Sequence, residues 1–309
     1  MILNRNDQAL AIRALKSAAP YIRMYKGKTF VVKAGGGVFA DLATTRALME
    51  QIAMLHYFGV RVVMVHGGGP QLTEISEQLG IETRMVQGRR VTDEKAIDVT
   101  SMVLNGLINT RILGLCRDLN IDAVGISGVD AGLVRAQKRP PVQLSGGETV
   151  DYGMVGDIKL VDANVLRKLL DNGLMPVVSP LSADDRGKLL NINADTVAAA
   201  IGAALDAEKL ILCTGAPGIL ERADDPGSLI SYTDLPGLKR LRDQGSLLEG
   251  MLPKAKAIED AIRGGVRRVH VVSYKSPEGI LGEVFTNEGT GTLIVEDAKA
   301  LSPAEQQSA

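Results

Sequence analysis

Thr29-Phe30-Val31-Val32-Lys33-Ala34-Gly35-Gly36-Gly37 is an apolar, β-branched run that stops on three glycines. Arg61-Val62-Val63-Met64-Val65 repeats the pattern and breaks at His66-Gly67-Gly68-Gly69-Pro70. Each run reads as a strand ending in a glycine loop. Residues 44–58 between them carry apolar side chains at helical spacing, and 71–79 resume a helix after the second loop. The alternation then continues, with strands expected at 122–126, 174–179, 209–213 and 268–272. Helices are expected at 93–119, 162–172, 194–205 and 254–264. Strands separated by helices imply βαβ units and an α/β fold whose mostly parallel sheet is covered on both faces. In such a sheet, ligands sit at the carboxyl ends of the strands.

Outward from this pattern, residues 180–189 read as a hairpin near a soft boundary between two lobes that share one sheet. Residues 1–25 read as a separate amphipathic helix, with its stop at Ala19-Pro20. The polar tail after Val295 reads as frayed. There is no internal repeat.

Bulk properties exclude several classes of function. A net charge of −1 over 309 residues, with 3% aromatics and no Trp, speaks against a nucleic-acid binder or a stacking platform. The three histidines form no ligand cluster, so no protein-held metal is expected. Cys116 and Cys213 lie apart in apolar stretches and read as reduced core thiols, which fits a cytoplasmic protein. The amino terminus lacks the basic start and apolar run of a signal peptide, and no run of about 20 uninterrupted apolar residues spans a membrane.

Certain residue types stand where chemistry needs them. Successive glycines let several backbone N–H groups face one concavity, which cradles phosphate or carboxylate; the alternative is a plain tight turn. Neither cluster has GxGxxG or Walker spacing. Lys33 ends an apolar strand directly before three glycines, a place from which it either snorkels to solvent or meets an anion. Arg89 and Arg90 precede a long helix, and either can fork onto a carboxylate; spacing does not choose between them. Asn191, Asn193 and Asp195 alternate into an apolar helix; Asn193 or Asp195 can cap it, and capping does not need three polar residues. Lys254 sits at a helix start, an unfavourable place for a cation unless an anion is near.

These residues carry a resemblance. VVKAGGG, VHGGGPQ, GRRVTD, VGISG, NINADT, GMLPK and EGTGT occur in the order seen in the acetylglutamate kinases, members of the amino acid kinase family. The match runs from about Pro20 to Val295. It implies an open αβα sandwich in three parts: an oligomerisation helix (1–25), an N-lobe for the acylated amino acid (26–185) and a C-lobe for ATP and Mg²⁺ (186–309). By that resemblance Lys33 and Lys254 flank the transferring phosphoryl group, and Asp195 orients both lysines. Gly68, Gly69, Arg90 and Asn191 hold N-acetyl-L-glutamate, and Gly36, Gly37 and Lys254 meet the nucleotide. The amino-terminal extension resembles that of arginine-inhibited members, which assemble as hexamers of interlaced dimers. Tyr21, His270, Glu288 and Gly289 match positions that bind arginine.

The sequence also departs from the pattern. Gly215 stands where Asp is usual, Val129 replaces a common lysine, and Ser273-Tyr274-Lys275 replaces DGR. Two other readings remain beside the leading one. The first is a kinase of N-acetyl-aminoadipate or N-succinylglutamate. The second is a non-catalytic arginine sensor, which would be expected to lose Lys33, Asp195 or Lys254. A dinucleotide-dependent oxidoreductase fails on the missing GxGxxG.

Overall fold

In the computed structural model, described for residues 5–144, 146–222, 224–247, 250–286 and 289–297, eight strands form one sheet. In chain order they are β1 (Thr29–Ala34), β2 (Arg61–His66), β3 (Ala123–Ser127), β4 (Met175–Ser179), β5 (Lys209–Thr214), β6 (Tyr232–Asp234), β7 (Arg268–Ser273) and β8 (Thr292–Val295). Their spatial order is β6-β8-β7-β5-β1-β2-β4-β3, and only the β7–β8 pairing is antiparallel. The two glycine-terminated strands are therefore neighbours at the centre, with Lys33 opposite Val65 and Leu212 in register.

Alternation along each strand splits the core in two, because successive side chains leave a strand on opposite faces. Val31, Val63, Val65, Leu210, Leu212 and Val271 point to one face. There they pack against α5 (Asn164–Asp171), α6 (Ala194–Ala204) and α8 (Leu252–Arg263) through residues such as Leu166, Val197 and Ile258. Phe30, Val32, Met64, Val177, Ile211 and Val272 point to the other face. Covering them are α2 (Leu42–Tyr57), α4 (Glu94–Asp118) and α9 (Gly279–Phe285) through Leu48, Ile112 and Ile280. The result is a three-layer αβα sandwich. Truncating any of these buried Leu or Ile side chains to Ala costs about 2–5 kcal/mol, because the close-packed surroundings collapse only partly. Both cysteines are free and buried in the second layer, where burial pushes their thiols up to about 12.

α3 (Gly69–Gln78) adds Leu72 to the second face and α7 (Leu235–Asp243) adds Leu238 to the first, and a second, four-stranded sheet completes the fold. That smaller sheet pairs Leu181–Ala183 with Leu189–Asn191 as the expected hairpin, and adds Val134–Lys138 and Gly156–Val161, which were not anticipated as strands.

One expectation is corrected. The first helix, α1, does not stop at Ala19-Pro20 but runs over Arg5–Tyr25 with Pro20 inside it. A proline removes one backbone donor and weakens one turn, yet Tyr25 beyond it is buried beside Phe30, with ring centroids 5.2 Å apart. That contact anchors the helix past the proline. The helix expected over 93–119 is present as α4, with Met102–Ile108 wound as a π segment. α4 is the one described helix long and apolar enough to cross a bilayer, and here its Val99, Val103, Leu104 and Ile112 are buried in the core. Glu288 and the polar tail from residue 298 onward lie outside the described residues.

Candidate active site

Strand alternation decides what Lys33 meets. It leaves β1 on the same face as Val31, where α6 and α8 pack side by side over the sheet. The first turn of α6 carries Asp195 and the first turn of α8 carries Lys254. All three charged side chains are buried, at 7–8% exposure. Lys33 Nζ lies 2.8 Å from Asp195 Oδ1, and Lys254 Nζ donates to both carboxylate oxygens at 3.1 and 3.0 Å. Two cations thus share one carboxylate. Burial alone would raise the Asp195 pKa, but the Lys33 and Lys254 ammoniums outweigh it and hold the carboxyl at about 2. Burial, with the like charge of Lys33, pulls Lys254 below the usual ammonium range against the attraction of Asp195.

The three polar residues leading into α6 divide their tasks. Asn193 is the cap, accepting from the Asp195 and Thr196 amides at 2.8 and 3.2 Å. Asp195 is thereby released to face the lysines. Asn191 donates to Thr92 Oγ1 at 3.3 Å and lines the adjoining crevice.

That crevice, of about 300 Å³, opens at the carboxyl ends of β1 and β2. Its rim is made of Lys33, Gly35, Gly36, Gly67, Gly68 and Gly69. The two glycine turns touch each other: a Cβ on Gly36 would fall 2.6 Å from Pro70 Cδ and 2.9 Å from the Gly69 nitrogen. A Cβ on Gly68 would fall 2.4 Å from Ile108 Cδ1. Both positions are therefore closed to side chains, and backbone is what lines the pocket. Gln71 ties the turns together by donating to the Gly36 carbonyl at 2.9 Å.

Arg89 and Arg90 reach the crevice on a two-residue turn, Gln87-Gly88, in which both residues have positive φ (47° and 70°). That geometry matches the twist of a tight hairpin. Arg90 is fixed by donating to Thr83 Oγ1 (2.8 Å), Thr73 Oγ1 (2.6 Å) and the Gly69 carbonyl (3.1 Å). Burial lowers the pKa of both guanidiniums, Arg89 further through Arg139, from values high enough that they stay charged. Leu72, Met85, Leu104, Val155 and Ile192 supply an apolar wall. His66, beneath the second turn, is fully buried and burial lowers it to about 4, so it is a neutral core residue near Asn109 Nδ2 (3.2 Å).

Beyond the lysines, Ala216, Gly218, Ile219, Leu220, Leu247 and Met251 line a smaller apolar cavity of about 90 Å³ after β5. No cluster of three or more His, Cys, Asp or Glu side chains with metal-ligand geometry occurs among the described residues.

The proposed effector residues are only partly brought together. His270 Nδ1 lies 2.7 Å from Glu283 Oε1, and Gly289, at φ 64°, is packed on the same carboxylate. Tyr21 lies on α1, which packs against the helix carrying Glu283. Two residues that sequence reading missed complete this cluster. Lys209 Nζ donates to His270 Nε2 at 2.9 Å, so His270 in turn donates from Nδ1 to Glu283. A lysine opening the otherwise apolar LILC strand was the available signal for Lys209; nothing local marks Glu283.

Residues 28–273 match the model of the amino acid kinase family. An acetylglutamate kinase of Myxococcus xanthus is 46% identical over 94% of this chain and 96% of that protein. One from Archaeoglobus fulgidus is 40% identical over 92% and 98%. Among solved structures, N-acetylglutamate synthase from Neisseria gonorrhoeae with coenzyme A and N-acetyl-glutamate superposes with a TM-score of 0.80 at 26% identity over 93% of this chain; the chain spans 64% of that synthase's length. Carbamate kinase from Giardia lamblia bound to AMP-PNP shares the fold, with a TM-score of 0.62 at 16% identity over 88% of this chain and 99% of that one. With a family match over most of its length and relatives above 40% identity end to end, this chain belongs to the amino acid kinase family.

Proposed function

We propose that this chain is an ATP-dependent kinase that phosphorylates the side-chain carboxylate of N-acetyl-L-glutamate, a step of arginine biosynthesis in the cytoplasm. The observation that carries the reading is the convergence of Lys33 and Lys254 on Asp195 at the rim of a glycine-lined crevice.

The chemistry follows from charge. A glutamate-type side chain has a pKa of about 4.3 and is already ionised at neutral pH, so the nucleophile needs no general base. A carboxylate oxygen attacks the γ-phosphorus in line; that O–P bond forms as the bond to ADP breaks, and no proton moves. The obstacle is bringing two anions together, which makes positioning and electrostatic stabilisation the whole of catalysis. Lys33 and Lys254 neutralise the transferring group, Asp195 holds them in place, and the amides of Gly36 and Gly37 approach the phosphates. Gly68, Gly69, Arg90 and Asn191 hold the acyl amino acid, with the apolar wall taking its methylene and acyl groups. The described residues offer no carboxylate cage for Mg²⁺, and Asp195 is engaged by both lysines; the metal would enter with the nucleotide, as Mg²⁺ commonly does.

In this reading residues 26–185 form the acyl-substrate lobe and 186–309 the nucleotide lobe. The chain works as a homo-oligomer, dimer or hexamer, in which α1 contributes contacts; it exposes Leu10, Leu15 and Met24 at 57–64%. Arginine is a feedback inhibitor held by Tyr21, His270, Glu288 and Gly289. A hydroxamate assay for acyl phosphate, with MgATP and a panel of N-acyl acidic amino acids, tests the activity. Product from N-acetyl-L-glutamate is expected; none from any panel member would refute the kinase. Activity unmoved by arginine at any concentration would refute the effector site.

A further inference from the structure

Two departures from the family pattern, Gly215 and Tyr274, are far apart in sequence and meet in space. Tyr274 follows β7, Gly215 follows β5, and Gly37 follows β1, so three adjacent strands deliver them to one end of the sheet. A Cβ on Gly37 would lie 2.5 Å from Tyr274 Oη, and one on Gly215 would lie 3.2 Å from it. In both cases the hydroxyl oxygen, not the ring, is the nearest atom; the ring carbon Cζ follows at 3.3 and 3.6 Å. The phenol is held from behind. Its backbone amide donates to the Thr214 carbonyl at 2.9 Å, and its ring packs on the core layer under α9. It is half-buried, with its polar tip over two glycines that present only backbone. On the same glycine turn, Gly35 sits beside Lys33, whose Nζ lies 3.5 Å from where a Gly35 Cβ would be.

We propose that Tyr274 is a nucleotide-positioning residue, its hydroxyl donating a hydrogen bond to the β- or γ-phosphate of ATP above Gly37 and Gly215. This rests on the kinase reading and adds a donor to it. A hydroxyl aimed at bare backbone beside a lysine rim is placed for an anion that the backbone amides also meet. Gly215 leaves the phenol free: an aspartate there would bring its Cβ within 3.2 Å of the hydroxyl oxygen, and its carboxylate would compete with the phosphate for the hydroxyl proton and repel the incoming anion.

The test is calorimetric titration of wild type and Tyr274→Phe with ATP and AMP, plus steady-state kinetics and thermal unfolding. Tyr274→Phe keeps the ring and its packing, so Tm is expected to stay put. Affinity for ATP is expected to fall about tenfold, as for loss of a hydrogen bond to a charged group. Affinity for AMP and KM for the acyl substrate are expected to hold. Unchanged ATP affinity, or equal losses for ATP and AMP, overturns the assignment and leaves Tyr274 a packing residue. If wild type itself binds no ATP, the kinase reading falls, an outcome separable from failure of the variant alone. As a second variant, Gly215→Asp is expected to weaken ATP in the wild-type background and to weaken it less beside Tyr274→Gly; additive losses would also count against the proposal.

Discussion

Two buried ion clusters sit on opposite faces and at opposite ends of the same sheet, and they are built to different ends. Lys33, Asp195 and Lys254 stand at the carboxyl end, on the face covered by α6 and α8, beside an open crevice. Lys209, His270 and Glu283 stand toward the amino end, on the face covered by α9 and the end of α1. The first cluster sets two cations on one carboxylate and is left with excess positive charge. The second is balanced within itself. Burial and the nearby Arg268 charge lower Lys209 to about 7, burial lowers His270 to about 4, and Glu283, which burial would raise, is held at about 2 by His270 and the Thr290 and Gly291 amides. Glu283 Oε2 accepts from those amides at 2.7 and 2.9 Å. A buried charge without compensation is costly, so the first cluster is completed when an anion enters, whereas the second is complete as it stands.

The harshest way to break this contrast is Asp195→Ala, which strands two ammoniums without a partner. Its unfolding free energy is expected to drop by about 3–5 kcal/mol in urea titrations; a loss under about 1 kcal/mol would mean that water already screens the trio. Lys33→Ala and Lys254→Ala act on the reaction instead. Each should lower kcat by about 10²–10³-fold, as removal of one transition-state donor does, with far smaller effects on KM for the acyl substrate. The reverse pattern would contradict their assignment to the phosphoryl group. Smaller still is Glu283→Gln at the balanced cluster. It loses the acceptor charge for His270 and two amides, and about 1–3 kcal/mol of stability is expected in the same titrations, with kcat little changed. A large fall in kcat would join the two clusters functionally and erase the distinction.

A pH series sharpens the comparison most gently. His270 titrates near 4 in the folded chain against an ordinary 6.5, so between those values the unfolded chain binds more protons. Its contribution to stability is whole above about 6.5 and is lost as pH falls toward 4. Asp195, at about 2 against 3.8, holds its contribution down to about 3.8 and loses it only below. His66, lowered to about 4 by burial, shares that window, so thermal unfolding across pH 3–7 should weaken both histidine sites before Asp195, and His270→Asn should reduce but not abolish the slope between about pH 4 and 6.5. An unaltered slope in that variant would place the titration elsewhere.

Much of the architecture was legible because strand and helix periods are local. TFVVK and RVVMV, each stopped by glycines, fixed the central pair of strands, and α2, α6 and α8 fell near their expected bounds. The trio was half legible. Lys33 and Lys254 each stood where a cation needs an anion, but the sequence left capping open between Asn193 and Asp195. Only the fold shows that Asn193 caps, leaving Asp195 to both lysines. Glu283 escaped notice because nothing beside it marks it, and Lys209, though it opens an apolar strand, finds its partner His270 61 positions away.

By itself, the sequence determined the alternation of strands and helices, the glycine turns and the family, since these depend on period, propensity and the order of short motifs. The tertiary structure alone decided which charges face one another, that two cations share one carboxylate, and that Tyr274 rests over Gly37 and Gly215. Those outcomes depend on strand order and on the face from which each side chain leaves the sheet. The pairing of distant strands is set by the packing of the whole core, and no local stretch of residues encodes it.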